Sequence, residues 1–264
     1  MTGTEKTHQR STALVTGASS GIGRELARTL ARNGHDLVLV ARDAHRLDQL
    51  AADLRAEYSI TTRVIPKDLS VNTSAQEIFD ELQKERIRIN VLVNNAGFDV
   101  YGNFCETDLT KELQMIQVNL TSLTQLTKLF LKDMKDQGYG RILNLGSTGS
   151  FVPSPLNAIY SATKAYVLSF SQAIAEELHG TGVTVTVLCP GATKTEFHQR
   201  AKMESVRLLR FGVMDARTVA EVGYKAMLAG KGVVVPGLSN KLQIFSTRFT
   251  PSSLVAKTAK MMLR

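Results

Sequence analysis

A single α/β domain on a doubly wound parallel sheet is what the 264-residue sequence predicts, and three observations predict it. Short, continuous apolar runs recur seven times, as expected for strands buried on both faces rather than one. Between successive runs lie segments with apolar residues every three or four positions, the period of a helix packed on one side. No internal repeat, low-complexity tract or Pro/Gly-rich linker divides the chain, whose length suits one domain.

The first strand is Thr12-Ala13-Leu14-Val15-Thr16, followed across a glycine-rich turn by a helix from Gly23 to Arg32. Leu37-Val38-Leu39-Val40-Ala41 is the second strand, with a helix from Ala44 to Tyr58 after it. Arg63-Val64-Ile65 and a helix from Ser74 to Glu85 come next, then Val91-Leu92-Val93 and a long helix from Lys111 to Lys135. Arg141-Ile142-Leu143-Asn144-Leu145 leads to a helix from Ala158 to His179. Val183-Thr184-Val185-Thr186-Val187-Leu188, a helix from Ala216 to Leu228 and Val233-Val234-Val235 complete the alternation. Helices covering both faces of such a sheet make a seven-stranded, Rossmann-like architecture, whose ligands lie at the carboxyl ends of the strands.

Composition removes several classes of function. Hydrophobic residues make up 43% and charged residues 21%, the balance of a globular chain rather than a disordered or collagen-like one. No run of eighteen apolar residues exists, so no membrane span is expected. Residues 1–11 are polar, lack the apolar centre of a secretory signal and read as a disordered lead-in. Cys105 and Cys189 stand apart with no histidine at ligand spacing, so a reducing cytoplasm is expected, with neither a disulfide framework nor a metal site. The net charge of +8 suits a polyanionic ligand. The basic residues are scattered and Trp is absent, so no nucleic-acid partner is expected.

The chemistry concentrates at the predicted strand ends. Thr16-Gly17-Ala18-Ser19-Ser20-Gly21-Ile22-Gly23 joins the first strand to the first helix. Gly17 permits a tight turn, Gly21 lets backbone approach a pyrophosphate and Gly23 allows close helix–strand packing, while the helix N-terminus offers free N–H groups to an anion. Tyr160 and Lys164 stand four residues apart and share one helix face, where an ammonium can sit beside a phenol and favour its ionised form. Asn94-Asn95-Ala96-Gly97 follows the fourth strand, Ser147 the fifth and Pro190-Gly191 the sixth, and Asn119 sits inside the long helix, where an Asn is unfavourable. The glycine spacing is G-x-x-x-G-x-G, one residue longer in its first gap than the G-x-G-x-x-G fingerprint. With these motifs in this order between Thr12 and Pro236, the chain closely resembles the classical short-chain dehydrogenase/reductase family.

The resemblance implies an oxidoreductase interconverting a carbonyl and a secondary alcohol, with pro-S hydride transfer from a nicotinamide dinucleotide. Tyr160 would be the general acid in reduction and the general base in oxidation. Lys164 would hold the nicotinamide ribose and, with the charge of the oxidised ring, lower the Tyr160 pKa. Ser147 would orient the substrate oxygen, its plainer role being a strand-end Ser that satisfies backbone. Asn119 would hold a water in a proton relay to Lys164, or be a satisfied buried Asn. The resemblance places Gly17, Ser19, Ser20, Gly21, Ile22 and Gly23 in the cofactor site, with Asn94, Asn95, Ala96 and Gly97. Asp68 and Leu69 would meet the adenine, unless Asp68 caps the next helix in place of Ser70 or Thr73. Pro190, Gly191 and Thr193 would meet the nicotinamide carboxamide and phosphates, beside Tyr160 and Lys164. Ala41 stands where NAD-preferring members carry an acid, and Arg42 follows, able to pair with a 2′-phosphate, so NADP(H) is expected ahead of NAD(H). Asp43 is left to cap the following helix or to meet the ribose.

In this family the stretch from Lys194 to Asp215 forms a variable lid. Here Phe197, Met203, Val206, Leu208, Leu209, Phe211 and Met214 stand among basic residues, which suits an apolar pocket under a mobile cover or an amphipathic helix on the core. His198 reads as a lid residue rather than an acid or base. The expected partner is a moderately hydrophobic small-molecule carbonyl or alcohol. Residues 12–236 form the catalytic domain, and 237–264 an extension whose stretch from Lys241 to Arg264 has five cations and no acid. Packing of that extension on protein is favoured over peripheral contact with an anionic membrane. By resemblance, the long helices imply a homodimer or homotetramer. The rival reading is a catalytically silent NADP(H)-binding regulatory or scaffold protein, which would be expected to lose Tyr160, Lys164 or Ser147.

Overall fold

The computed structural model describes residues 10–201, 203, 206 and 212–263. Most of the predicted lead-in, and Leu208, Leu209 and Phe211 of the predicted lid, lie outside the described residues. The chain runs β1 (Thr12–Thr16), α1 (Gly21–Arg32), β2 (Asp36–Ala41), α2 (Ala44–Tyr58), β3 (Thr62–Pro66), α3 (Ser74–Lys84), β4 (Val91–Asn94), α4 (Leu109–Ile116) and α5 (Leu123–Asp136). It continues through β5 (Gly140–Leu145), α6 (Ala158–Glu177), β6 (Val183–Leu188), β7 (Thr193–Lys194), α7 (Phe197–Arg200) and β8 (Met214–Asp215). The last elements are α8 (Ala216–Leu228), β9 (Val233–Val234), α9 (Leu238–Thr247) and α10 (Ser252–Met262).

Seven strands form one parallel sheet in the order β3-β2-β1-β4-β5-β6-β9, while β7 and β8 pair separately. Successive residues of a strand point to opposite faces, and here both faces are covered. Ala13 and Val15 join the cluster built with α1, α2 and α8, while Leu14 between them joins the one built with α3 and α5. The same division holds for Leu37 and Leu39 against Val38 and Val40. Strand order reverses between β1 and β4, which opens the crevice at their carboxyl ends where ligands of such sheets bind.

Local signals place the helix starts. Asp43 caps α2 by accepting from the Arg46 amide at 3.0 Å, Asp108 caps α4 through the Lys111 amide at 3.1 Å, and Asp215 caps α8 through the Arg217 and Thr218 amides. The predicted helix from Lys111 to Lys135 is not one regular α-helix. A π-helical segment, Gln117–Ser122, separates α4 from α5, and Asn119 lies within it. Periodicity does not distinguish one wide turn from α-helix, and π segments occur mostly as such single insertions at functional sites.

Candidate active site

The glycine-rich turn is bolted to the end of β4. The Thr16 hydroxyl accepts from the Asn95 and Ala96 amides, each at 3.0 Å, and donates to the Val93 carbonyl at 3.2 Å. The Asn95 side chain donates to the carbonyls of Thr16 at 2.9 Å and Gly17 at 3.2 Å. Gly17 and Gly21 have φ of 65° and 55°, a region costly for other residues. A Cβ on Gly23 would lie 2.3 Å from both the Gly17 carbonyl oxygen and the Asn95 side-chain nitrogen. Ser20 occupies the N-cap position of α1 without a side-chain cap bond, and Ser19 and Ile22 flank it half-buried. That tight, uncapped cradle at a helix N-terminus fits a diphosphate.

The residues expected at the ribose and adenine follow β2 and β3. Arg42 is exposed just beyond Ala41 and makes no ion pair among the described residues. Asp43 is engaged as the α2 cap, accepting from the Arg46 amide at 3.0 Å, and lies 3.4 Å from the Arg46 guanidinium. Asp68 does not cap α3; its carboxylate accepts from the Ser70 amide at 2.9 Å, and the neighbouring Leu69 is buried with its carbonyl bonded to Ser122. On the opposite wall Arg46 pairs with Glu196 at 2.9 Å, and Thr195 would be 3.0 Å from a Cβ on Gly21. The segment after β7 therefore closes down on the glycine-rich turn.

Of the predicted Asn-Asn-Ala-Gly motif, Asn94 turns away from the crevice. It donates to Thr127 at 3.0 Å and to Asn144 at 2.9 Å inside the core. Asn95 and Ala96 hold the glycine-rich turn, and Gly97 leaves room that a Cβ would fill 3.0 Å from the Asn119 oxygen and 3.6 Å from the Lys164 ammonium. Beyond β6, Thr193 at the start of β7 is buried with its hydroxyl on the Gly191 carbonyl at 3.0 Å. Gly191, after Pro190, accommodates Asn240 of α9, whose oxygen would be 2.6 Å from a Cβ there.

Tyr160, Lys164, Ser147 and Asn119 come together across this crevice. The buried Lys164 donates to the Leu145 carbonyl at 2.8 Å, and its nitrogen lies 5.7 Å from the centre of the Tyr160 ring. Burial lowers the Lys164 pKa to about 8, against the opposing pull of Cys189 and Asp99. The Tyr160 phenol is driven up by burial and by the charge of Asp99, and pulled down by its hydrogen bond with Ser147. Desolvation is the largest influence on the phenol, and the Lys164 ammonium is held on the Leu145 carbonyl. Phe197 of α7 packs 5.7 Å from the Tyr160 ring, centre to centre, while the side chain of His198 lies outside the described residues.

Ser147 satisfies backbone at the strand end: its hydroxyl accepts from the Gly149 amide at 3.0 Å in a reciprocal cap with Ser150. A Cβ on Gly149 would lie 3.4 Å from that hydroxyl and 3.9 Å from the Tyr160 ring, so the two side chains line the same space. Asn119 is fully engaged through its side chain. It accepts from the Phe98 amide at 3.0 Å and donates to the Phe98 carbonyl at 3.0 Å and to Thr163 at 3.3 Å.

Two residues of this centre escape sequence reading. Asp99, in the loop after β4, is buried and accepts from Asn157, the N-cap residue of the helix that carries Tyr160 and Lys164, at 2.9 Å. Burial raises the Asp99 pKa to about 7, although the Val100 amide, Lys164 and Asn157 all pull it down. Its other carboxylate oxygen is buried without a partner. The signal available was one acid in the otherwise apolar run Phe98-Asp99-Val100-Tyr101.

A cavity of about 440 Å³ lined by Arg10, Thr12, Asp36, Arg86 and Asn90 opens at the amino ends of the strands, away from these groups. Among the described residues, no cluster of three His, Cys, Asp or Glu side chains could hold a metal ion, and no helix is long and apolar enough to cross a membrane. Cys189 is a buried thiol with its pKa pushed up to about 12 by desolvation, and Cys105 is exposed and free.

A family described as short chain dehydrogenase matches residues 11–205. The chain is 34% identical, over 196 residues, to the very-long-chain 3-oxoacyl-CoA reductase of Anas platyrhynchos, a match covering 72% of this chain and 62% of that protein. It therefore spans about three fifths of that relative's length. Among solved structures, a short-chain dehydrogenase from Sphingobium yanoikuyae in complex with NADPH is 35% identical, with a TM-score of 0.82 over 90% of this chain and 93% of that one. The bulky-bulky ketone specific alcohol dehydrogenase from Comamonas testosteroni is 33% identical, with a TM-score of 0.77 over 90% of this chain and 92% of that one.

Proposed function

The chain belongs to the short-chain dehydrogenase family, and from that premise we propose that it is an NADP(H)-dependent oxidoreductase interconverting a carbonyl and a secondary alcohol. The observation that carries the reading is the convergence of Ser147, Tyr160 and the buried Lys164 in one crevice, across from the uncapped glycine cradle. Arg42, exposed at the end of β2, supports the preference for a 2′-phosphate, as does NADPH in the Sphingobium yanoikuyae structure. NAD(H) remains the weaker ligand of the same cradle.

Bound in that cradle, NADPH would supply the hydride. In reduction the Tyr160 hydroxyl gives its proton to the substrate oxygen, and in oxidation the phenolate takes it back. Ser147 donates to the same oxygen and keeps it within reach of Tyr160. The raised phenol pKa suits the acid role, because the proton is present at neutral pH. Lys164 carries a positive charge below about pH 8 and positions the ribose. Since its side chain is engaged by Phe98 and Thr163, Asn119 serves a proton relay through its main-chain carbonyl in the π-helical turn, where the backbone ladder is offset. Asp68, Leu69, Pro190, Gly191 and Thr193 complete the cofactor walls.

The substrate class we assign is a moderately hydrophobic small carbonyl compound, supported by Phe197 against Tyr160 and by the apolar cluster of Ala201, Met203, Val206 and Leu263. Exposed Leu109 and Leu113 on α4 support a homodimeric or homotetrameric assembly, and the two free cysteines a reducing, cytoplasmic setting.

The test is NADPH oxidation across ketones, aldehydes and 3-ketoacyl thioesters, with Tyr160→Phe as control. Turnover should fall by about a hundredfold or more in the variant while NADPH binding persists. Turnover unaffected by the substitution refutes the mechanism; tight NADPH binding without turnover on any substrate supports the silent regulator instead.

A further inference from the structure

From residue 222 to the end, the sequence contains no Asp or Glu and seven Lys or Arg. Within that stretch α9 and α10 contain no buried residue. Exposure along α9 is ordered rather than random. Leu238, Leu242 and Phe245, continued by Phe249 in the turn beyond, stand at i, i+4, i+7 and i+11, which is one stripe of a helix, and their exposures are 72%, 60%, 57% and 76%. Phe245 and Phe249 stack edge to face with ring centres 5.2 Å apart. Lys241 and Arg248, seven residues apart, are exposed and flank the stripe on one side. On α10, Leu254 and Met261 are exposed beside Lys257.

The opposite face of α9 is the one that holds the molecule. Asn240 donates to the Pro236 carbonyl at 2.7 Å and sits against Gly191, and Ile244 and Thr247 are turned inward on the same side. At the far end Leu263 packs with Ala201, Met203 and Val206, and the Tyr101 hydroxyl donates to its carbonyl. The inner side of the extension therefore abuts the candidate site, while its outer side presents leucines, phenylalanines and cations to solvent.

We propose that this outer face of α9 and α10 docks on an anionic phospholipid surface. An apolar stripe flanked by cations is the pattern of a helix lying in a bilayer interface, with its apolar side in the acyl boundary and its cations among the headgroups. A two-fold contact with a second copy fits the charges worse. It would set the patch against itself, and no carboxylate in the last 43 residues could answer the cations of the other copy. The earlier preference for packing on protein therefore holds for the inner face only.

The experiment is co-sedimentation of the full chain with phosphatidylcholine vesicles, and with vesicles in which about a third of the lipid is phosphatidylglycerol. Binding is expected to the second only and to be released by high salt. Reversing Lys241→Glu together with Arg248→Glu should weaken it by at least about tenfold. Phe245→Ser with Phe249→Ser should remove it even at low salt, and none of these changes should alter NADPH affinity. Absence of binding to the anionic vesicles overturns the proposal, as does equal binding to both compositions. So does a dimer that the serine variants convert to monomer with vesicle binding unchanged, because the face would then belong to a second copy.

Discussion

Asp99→Asn tests whether the buried carboxyl beside the reacting centre acts as the structure requires. In the folded protein Asp99 titrates at about 7 against an ordinary 3.8. That gap corresponds to about 4 kcal/mol at ~1.4 kcal/mol per pH unit. The sign follows from proton counting. Between about pH 4 and pH 7 the folded chain retains a proton that the unfolded chain has released, so stability falls as pH rises through that window. Asn carries no such penalty and can still face Asn157. The advantage of the variant over the parent should grow between pH 4.5 and pH 7.5 by about 1–3 kcal/mol, the pull of Lys164 being already contained in the folded value. For a chain of this size that is a Tm gain of about 2–12 °C. His35, whose pKa burial lowers, titrates in both proteins and cancels in the difference. Scanning calorimetry of both proteins at half-unit steps from pH 4.5 to 7.5 measures it, a range that stays below the titration of Lys164 at about 8. A difference that is constant across pH, or that turns against the variant as pH rises, refutes the reasoning. The second outcome would mean that the Asp99 carboxylate is a net stabilising partner of Lys164.

Arg42→Ala should raise the KM for NADPH by about tenfold to a hundredfold while leaving that for NADH nearly unchanged, since only the former has a 2′-phosphate; equal changes refute the assignment. Gly23→Ala puts a Cβ 2.3 Å from the Gly17 carbonyl and the Asn95 side chain, so a loss of about 1–3 kcal/mol is expected in thermal unfolding, with NADPH affinity reduced at least tenfold by titration. Arg46→Ala and Glu196→Gln each break the exposed pair that ties the segment after β7 to α2, where Thr195 already closes on Gly21. Stopped-flow measurement should show faster NADPH release from both variants with Tm unchanged; an unchanged release rate would mean that the pair does not restrain the closure.

Much of the architecture was legible because its causes are local. Continuous apolar runs of five or six residues have no other comfortable home than a sheet covered on both sides, and Ala44–Tyr58 and Ala216–Leu228 end where their caps and periodicity place them. Elsewhere the sequence was ambiguous for a physical reason. Periodicity cannot separate the π turn around Asn119 from regular helix, because the apolar spacing on either side changes by one residue. The basic, amphipathic extension could be recognised in the sequence, but which of its faces meets the protein depends on Gly191, which leaves space for Asn240.

What the sequence determined by itself was the order of elements and the residue types at the strand ends: a glycine cradle, an exposed Arg42, a Tyr and a Lys one helical turn apart. Only the tertiary structure decided their electrostatics. Tyr160 and Lys164 are neighbours by helical geometry alone, but their pKa values move with desolvation and with the charge of Asp99, which is 61 residues before Tyr160 in sequence. Proximity along a helix is written in the spacing of residues, whereas burial is a property of everything that packs around them.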